Sequence, residues 1–413
     1  MSRVGKSAFV SSSQSAERLD VLDGLRGLAI ALVVWYHAWL VSGQGITGLN
    51  FVAEAGFLGV DLFFFISGFC IYFPYARAQR EGRAGPTVQR FFTRRAVKIL
   101  PSYLLALAVF AIVYHARFAS PAEAAVQIAS HLAFVHTLSP LTFGAISGPL
   151  WTIGVEVQFY LLFPLICPLF RKSPIVAYGA LVGFAETYRV VVGQAGLGST
   201  FLYINQLPAY LDVFGSGMFA AYILTTVGRP ATATSRRLYT LGSLAAFALA
   251  LAGLAEVAAI SRNTDINAAY DWVNALRIAI GPLCIALALS TSFAVRRWRA
   301  ILTTRAFIFL SMISYNLYLW NLEIAVWYRQ AGFSASATFV LGIATALCLA
   351  TAITYAIERP ILEANLAGLW ATLRARLGAP LPGVRDGASD GRTAAWAPIS
   401  LRSGALPQRD SGR

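Results

Sequence analysis

Two side chains of this sequence could carry proton chemistry within apolar surroundings. His37 follows an apolar run that ends in Trp35-Tyr36, and histidine is the side chain best suited to proton transfer near pH 7. Glu156 lies inside Pro149-Leu150-Trp151-Thr152-Ile153-Gly154-Val155-Glu156-Val157-Gln158-Phe159-Tyr160. An ionisable residue within an apolar helix is costly, so it faces the bundle interior and generally has a task. Arg26 precedes His37 by eleven residues, which is about 20° off three full helical turns and about 16 Å along the axis. The two therefore share one helix face. Counted from the ends of their apolar runs, His37 and Glu156 fall at nearly the same depth on antiparallel helices. A carboxylate beside a histidine orients the ring and favours its protonated form, the support a general base needs. The plainer alternatives are a hydrogen bonder between helices for His37 and an ion pair joining two helices for both.

Other polar residues sit in apolar stretches. Asp61, Asp212, Arg277, Asn321 and Glu323 fall in the outer halves of their runs and suggest a polar cavity closest to that face. Of these, Asp212 and Glu323 read more simply as loop-end residues. His131 and His136, five apart, do not share a helical face and receive no role. Arg94, Arg95 and Lys98 cluster before Ile99-Leu100-Pro101-Ser102-Tyr103. Such a cluster either fixes topology against anionic lipid or grips the phosphates of a nucleotide-bearing donor.

The elements that hold these residues follow from composition. Of the 413 residues, 57% are hydrophobic and only 13% charged, about half the charged fraction of a soluble domain. A chain so poor in charge must expose most of its surface to lipid. Ten apolar stretches near spanning length are expected at about 22–42, 57–75, 98–116, 149–170, 174–192, 206–227, 238–259, 273–294, 306–327 and 338–358. The intervening 120–147 reads as an interfacial helix or structured loop. The fold class is thus all-α, a polytopic membrane helix bundle of about ten transmembrane helices. Connections on one side carry sixteen Lys and Arg, from Arg77 to Arg305, against three on the other, Arg117, Arg262 and Arg329. Basic residues accumulate on the cytoplasmic side, so both termini are expected there. Residues 1–18 read as a polar cytoplasmic N-terminus without a removable signal, 19–362 as the membrane domain, and 363–413 as a mostly disordered cytoplasmic tail. Cys70, Cys167, Cys284 and Cys348 are scattered singly, with neither metal-ligand spacing nor a disulfide framework.

Asp23-Gly24-Leu25-Arg26-Gly27 with His37 resembles the Arg-x10-His signature of the acyltransferase-3 family. Further segments match that family in order: Phe63-Phe64-Phe65-Ile66-Ser67-Gly68-Phe69, Arg95 with Lys98-Ile99 and Pro101-Ser102-Tyr103, and Leu150-Trp151 with Glu156 and Phe159-Tyr160. Ile313-Ser314-Tyr315-Asn316-Leu317-Tyr318-Leu319-Trp320 and Glu358-Arg359-Pro360 complete the series, which spans about 20 to 362. Two positions depart from the family pattern: Lys98 stands where a second arginine is usual, and Asn321 where histidine is common. The resemblance implies a bacterial inner-membrane O-acyltransferase moving an acyl group, most often acetyl, from acyl-CoA to a hydroxyl of a carbohydrate or glycosylated acceptor. It implies His37 as general base and Glu156 as its orienting carboxylate. Arg94, Arg95, Lys98 and Tyr103 would bind the donor, with Arg26 guiding it, while Asp61, Ser67, Trp151, Tyr315 and Asn321 would line the substrate cavity. Acyl-CoA would be a co-substrate; no resident cofactor, metal or nucleic-acid partner is expected, and membrane lipids would surround the chain.

The competing reading is a transporter or flippase whose permeation path uses the same polar residues, although unbroken span interiors and the lack of an internal repeat count against it. A catalytically silent scaffold would leave the His37 and Glu156 motifs unexplained. Acceptor recognition is expected from the outer connections 117–148 and 260–272.

Overall fold

The computed structural model describes residues 4–227, 230, 232–264 and 266–364. The expected tail lies, beyond residue 364, outside the described residues. Their regular elements are helices, chief among them α1 Val4–Ser42, α2 Gly59–Arg80, α3 Val88–Val113, α4 Pro121–Leu132, α5 Leu150–Lys172, α6 Pro174–Gln194 and α7 Leu211–Thr226. These are followed by α8 Ala233–Asn263, α9 Ile266–Leu276, α10 Ile280–Phe293, α11 Arg296–Leu302, α12 Arg305–Gln330 and α13 Ala335–Ile353. A π-helical turn, Thr354–Glu358, and a short last helix, Arg359–Glu363, close the bundle.

Among the described residues, nine helices are long and apolar enough to span a membrane, and α11 with α12, bent by 40° at their junction, makes a tenth. The ten expected spans are therefore present, with shifted ends. The largest shift is in α3, which begins at Val88 rather than near 98. Arg90, Arg94, Arg95 and Lys98 thus ride on helix, not on a loop. Thr87 caps that start, its side chain accepting from the Arg90 backbone N–H.

Two helix pairs form the centre. The first helix runs along α12, and α2 runs along α7. In lipid no hydrophobic force drives helices together, so small residues that let backbones approach decide these contacts. A Cβ on Gly27 would lie 2.2 Å from the Phe307 carbonyl oxygen, and one on Gly68 would lie 2.1 Å from that of Phe214. Glycine is required at both crossings. Around them Phe64, Phe159 and Phe214 stack, with Phe159 and Phe214 centroids 4.0 Å apart. The outer helices α6, α8 and α13 instead expose Leu, Val and Phe side chains, as lipid-facing elements do.

The segment 120–148 does more than lie on a surface. Ser120 caps α4, accepting from the Glu123 N–H, and the chain then turns inward. The turn at Phe134 takes φ +56°, a conformation uncommon for a bulky residue and stored here by tertiary contacts. Tyr103 donates to the His131 carbonyl, and Gln158 donates to Phe134 O and Thr137 Oγ1. Gln158 is eight residues into α5 and Tyr103 ten residues from the end of α3, so the segment reaches about 12–15 Å down the bundle.

Candidate active site

His37 lies on α1 opposite Asn321 of α12, with 2.6 Å between His37 Nδ1 and Asn321 Oδ1. The amide cannot be reversed, because Asn321 Nδ2 donates to two backbone carbonyls, Leu317 O at 2.8 Å and Tyr318 O at 2.9 Å. Its oxygen therefore faces the ring, and an amide oxygen only accepts. Nδ1 must carry the proton of the neutral ring, which leaves the lone pair on Nε2. The ring is half-buried while Asn321 is buried, so the amide is fixed and part of the ring stays accessible.

This geometry corrects the expectation that Glu156 orients His37. Glu156 Oε1 accepts from Ser67 Oγ at 2.6 Å and from Tyr160 Oη at 2.5 Å. It also lies within electrostatic reach of Arg26. The depth estimate failed because α5 starts recessed behind the inserted segment. Thr152 donates to Tyr318 Oη, which sets these two residues at one level. Asn321 is one turn outward of Tyr318 and Glu156 one turn inward of Thr152, which separates the two groups by about 10 Å along the bundle.

A second polar cluster, toward the basic end, gathers several of the expected donor-binding residues. One Arg26 guanidinium nitrogen is 3.8 Å from Cys70 Sγ, and Asp23, Glu156 and Tyr160 complete its electrostatic surroundings. The Arg95 guanidinium sits over the Tyr160 ring at 5.5 Å and the Phe91 ring at 5.9 Å, and its buried Nε has no hydrogen-bond partner among the described residues. Arg94 is half-buried beside Arg90 and Arg95. Lys98 differs from its neighbours: it pairs with the buried Glu358 and stands over the Tyr315 ring at 5.8 Å. Glu358 also accepts from Asn316 Nδ2 at 2.7 Å, and the π turn that delivers it, an irregularity often found at functional sites, presents Thr354 to the same amide at 2.9 Å. Tyr315 donates to Ile99 O, tying α12 to α3.

Three expected site residues have other duties. Tyr103, fully buried, spends its hydroxyl on the His131 carbonyl and is not free for a donor. Asp61 does not line an open cavity; it accepts from Arg277 Nε at 3.0 Å in a buried pair, and Arg277 lies over the Tyr210 ring at 4.2 Å. Trp151 is walled in by Phe64, Phe143, Phe201 and Tyr210, all with centroids about 6 Å away.

Two further readings are corrected. Asp212 and Glu323 are not loop-end residues: both are buried, Asp212 in a forked pair with Arg189 at 3.1 and 2.7 Å and Glu323 with Tyr114. Arg189 went unassigned in the sequence, although an arginine just inside an apolar span is itself a signal. His131 and His136 do come together, their rings stacked with centroids 4.0 Å apart and fully buried. Their spacing fails on a helix, but α4 ends between them. Burial pushes His131 down to about 4, with its like-charged neighbour adding to the effect, and lowers His136 for the same first reason.

The family model of the acyltransferase domain, acyltransferase-3, matches residues 19–359. Over 170 residues the chain is 29% identical to the peptidoglycan O-acetyltransferase OatA of Listeria monocytogenes, covering 38% of this chain and 25% of that one. Over 237 residues it is 28% identical to BcsY of Komagataeibacter xylinus, named as a membrane-bound transacylase, covering 50% and 56%. An O-acetyltransferase OatA of Staphylococcus aureus is 30% identical over 172 residues, 37% of this chain and 25% of the relative. The chain thus spans a quarter to about half the length of these curated relatives. No solved structure matches the chain significantly. With a match that takes in both polar clusters and nearly every span, the chain belongs to the acyltransferase-3 family.

Proposed function

We propose that the protein transfers an acyl group, most simply acetyl, from acyl-CoA to a hydroxyl of a carbohydrate acceptor, with His37 as general base. The carrying observation is the Asn321 amide that fixes the Nδ1–H form of His37 and leaves Nε2 free to take a proton. In the reaction the acceptor hydroxyl gives its proton to Nε2 while its oxygen attacks the thioester carbonyl. The carbon–sulfur bond breaks, and the CoA thiolate recovers the proton from Nε2–H. The Asn321 oxygen stabilises the imidazolium formed between these steps.

The basic connections face the cytoplasm in this reading, where acyl-CoA is made. Arg94 and Arg95, with Arg26 further in, would attract the donor phosphates; Lys98, already paired with Glu358, would contribute less than its charge suggests. The extended pantetheine arm then runs from that cluster toward His37, about 16 Å along α1 from Arg26. Glu156 belongs to the donor end, where it sets Arg26 and Tyr160. Carbohydrate as acceptor is supported by the names of the relatives, one of which is a peptidoglycan O-acetyltransferase.

The test is CoA binding and thioester cleavage by the purified full chain, with His37→Ala and Glu156→Gln beside the wild type. Binding by all three, with loss of cleavage in His37→Ala, is the expected result. Glu156→Gln is expected to change CoA affinity more than turnover at saturating donor. Undiminished cleavage by folded His37→Ala would end the general-base assignment.

A further inference from the structure

A cavity of about 180 Å³ opens at the basic end between α2, α3 and α5, and the clusters described above make no use of it. Tyr75, Phe91 and Phe163 form its walls: the Phe163 ring lies 5.4 Å from Tyr75 and 4.9 Å from Phe91, centroid to centroid. An apolar cavity of about 150 Å³ accommodates one benzene ring, so this one has room for a somewhat larger planar group. It is not purely apolar. Pro164 and Pro168, one helical turn apart on α5, both line it. A proline has no N–H to return to the carbonyl four residues before it, so the Pro164 carbonyl oxygen is left without its helical donor at the cavity wall. Arg171 stands at the rim. Behind the Phe91 wall is the Arg95 guanidinium, 5.9 Å from that ring. An accessible Tyr75 ring edged by two phenylalanines, an orphaned acceptor and a cation at the rim suit a heteroaromatic base with an exocyclic amine and attached phosphates. An anionic phospholipid without N–H donors would use the walls and Arg171 but would leave the Pro164 carbonyl unmet.

We infer that this cavity is the base pocket for the adenine of the nucleotide-bearing donor. The inference rests on the acyl-CoA reading above and adds to it the position of the nucleotide. The base stacks on the accessible face of Tyr75, edged by the buried Phe91 and Phe163, and gives its exocyclic N–H to the Pro164 carbonyl. Its phosphates lie at Arg171, and the pantetheine arm passes Arg95 and Arg26 into the bundle. Specificity for CoA over shorter acyl thioesters would then be set here, far from His37.

The experiment compares two probes on the purified full chain in detergent: CoA, and phosphopantetheine, which lacks the adenosine part. Val88 lies on the rim of the cavity and is 55% exposed, so Val88→Trp fills the mouth without disturbing the core. The expected result is at least a tenfold loss of CoA affinity with phosphopantetheine binding unchanged, and about a tenfold loss for Tyr75→Leu, the scale of one lost base–aromatic stack. An 8-azidoadenine analogue of CoA should label peptides carrying Tyr75 or the stretch 163–171. Wild-type CoA affinity in Val88→Trp, as a cavity holding lipid would give, overturns the pocket alone. Equal loss of both probes overturns it as well. A wild type that binds neither probe removes the acyl-CoA reading and the pocket with it.

Discussion

Replacing Asn321 tests the chemistry at its most specific point. The Asn321 oxygen makes one hydrogen bond to His37 Nδ1, at 2.6 Å, while the other half of the amide is anchored to α12 itself. Asn321→Leu removes that acceptor at nearly constant volume. In the ground state the loss is that of one neutral hydrogen bond, about 0.5–1.5 kcal/mol. In the transition state the ring carries positive charge, and a hydrogen bond to a charged donor is worth about 1.5–3 kcal/mol. The difference is about 1–2 kcal/mol. Loss of tautomer control, which lets Nε2 take the proton it should receive, adds to this. Turnover is therefore expected to fall between about tenfold and a hundredfold. Asn321→Asp places an acceptor in the same position and adds a charge that favours the imidazolium. Its second oxygen would face the Leu317 and Tyr318 carbonyls and its charge would hold the imidazole protonated, so this variant is expected to lose most activity at neutral pH. Asn321→His, the commoner residue in the family pattern, should function when one nitrogen donates to the α12 carbonyls and the other accepts from His37. The assay is initial-rate thiol release from acetyl-CoA by the full chain with a panel of carbohydrate acceptors, reading kcat apart from donor KM. Wild-type kcat in Asn321→Leu, or activity in Asn321→Leu above that of Asn321→His, would refute the tautomer argument.

Further expectations concern the scaffold. Asp61→Ala leaves Arg277 charged and buried, a loss of about 3–5 kcal/mol, whereas Asp61→Leu with Arg277→Met should recover much of it; thermal unfolding in detergent compares the two, and equal loss in both would mean that the pair is not what binds α2 to the α9–α10 junction. Gly68→Ala sets a methyl 2.1 Å from the Phe214 carbonyl, and overpacking of this kind costs about 1–3 kcal/mol; an unchanged unfolding temperature would show that α2 and α7 separate freely. The stacked histidines predict a pH effect: His131, held down to about 4 by burial against an ordinary 6.5, binds its proton more readily unfolded. The stability it protects is therefore complete above pH 6.5 and lost as pH falls toward 4, by up to about 3 kcal/mol. His131→Phe keeps a ring in the stack and should flatten the dependence of unfolding temperature on pH between 7 and 4.5; a slope identical to wild type would assign the effect elsewhere.

The spans were legible because twenty apolar residues in lipid admit one backbone solution, and each such stretch proved to be helix. Their ends were less so. In α3 the arginines from 90 onward read as loop because they are charged, yet they continue the helix at the basic end, where long charged side chains can reach out of the apolar layer. Depth along the bundle is the least legible feature. Counting residues from Pro149 assumes that α5 starts at the membrane surface, and only the inward path of 120–148 shows that it does not. That path is held by polar contacts such as Gln158 with Thr137, which leave no periodicity to read. The same segment unites His131 with His136 across a helix end, where i, i+4 reasoning has no force. The family resemblance placed His37 and Asn321 in separate motifs, but nothing in a sequence states that residues 284 positions apart share a hydrogen bond.

Support of the histidine by an amide rather than a carboxylate agrees with how charge is distributed through this bundle. Arg277 has Asp61, Arg189 has Asp212, and Lys98 has Glu358, while Arg26 lies between Asp23 and Glu156. Charges buried in a low-dielectric interior persist when they are partnered, and at the basic end Glu156 does this for Arg26. At His37 a carboxylate would have required a permanent cation to balance it or would have held the imidazole protonated, and a protonated ring cannot act as a base. Asn321 avoids both. It presents an oxygen dipole that fixes the tautomer, adds no net charge before the reaction, and becomes most useful when the proton arrives. The buried ion pairs and the neutral His37–Asn321 pair are thus consequences of one constraint: a charge persists inside this bundle when it is partnered, and a general base at His37 has to stay neutral until its proton arrives.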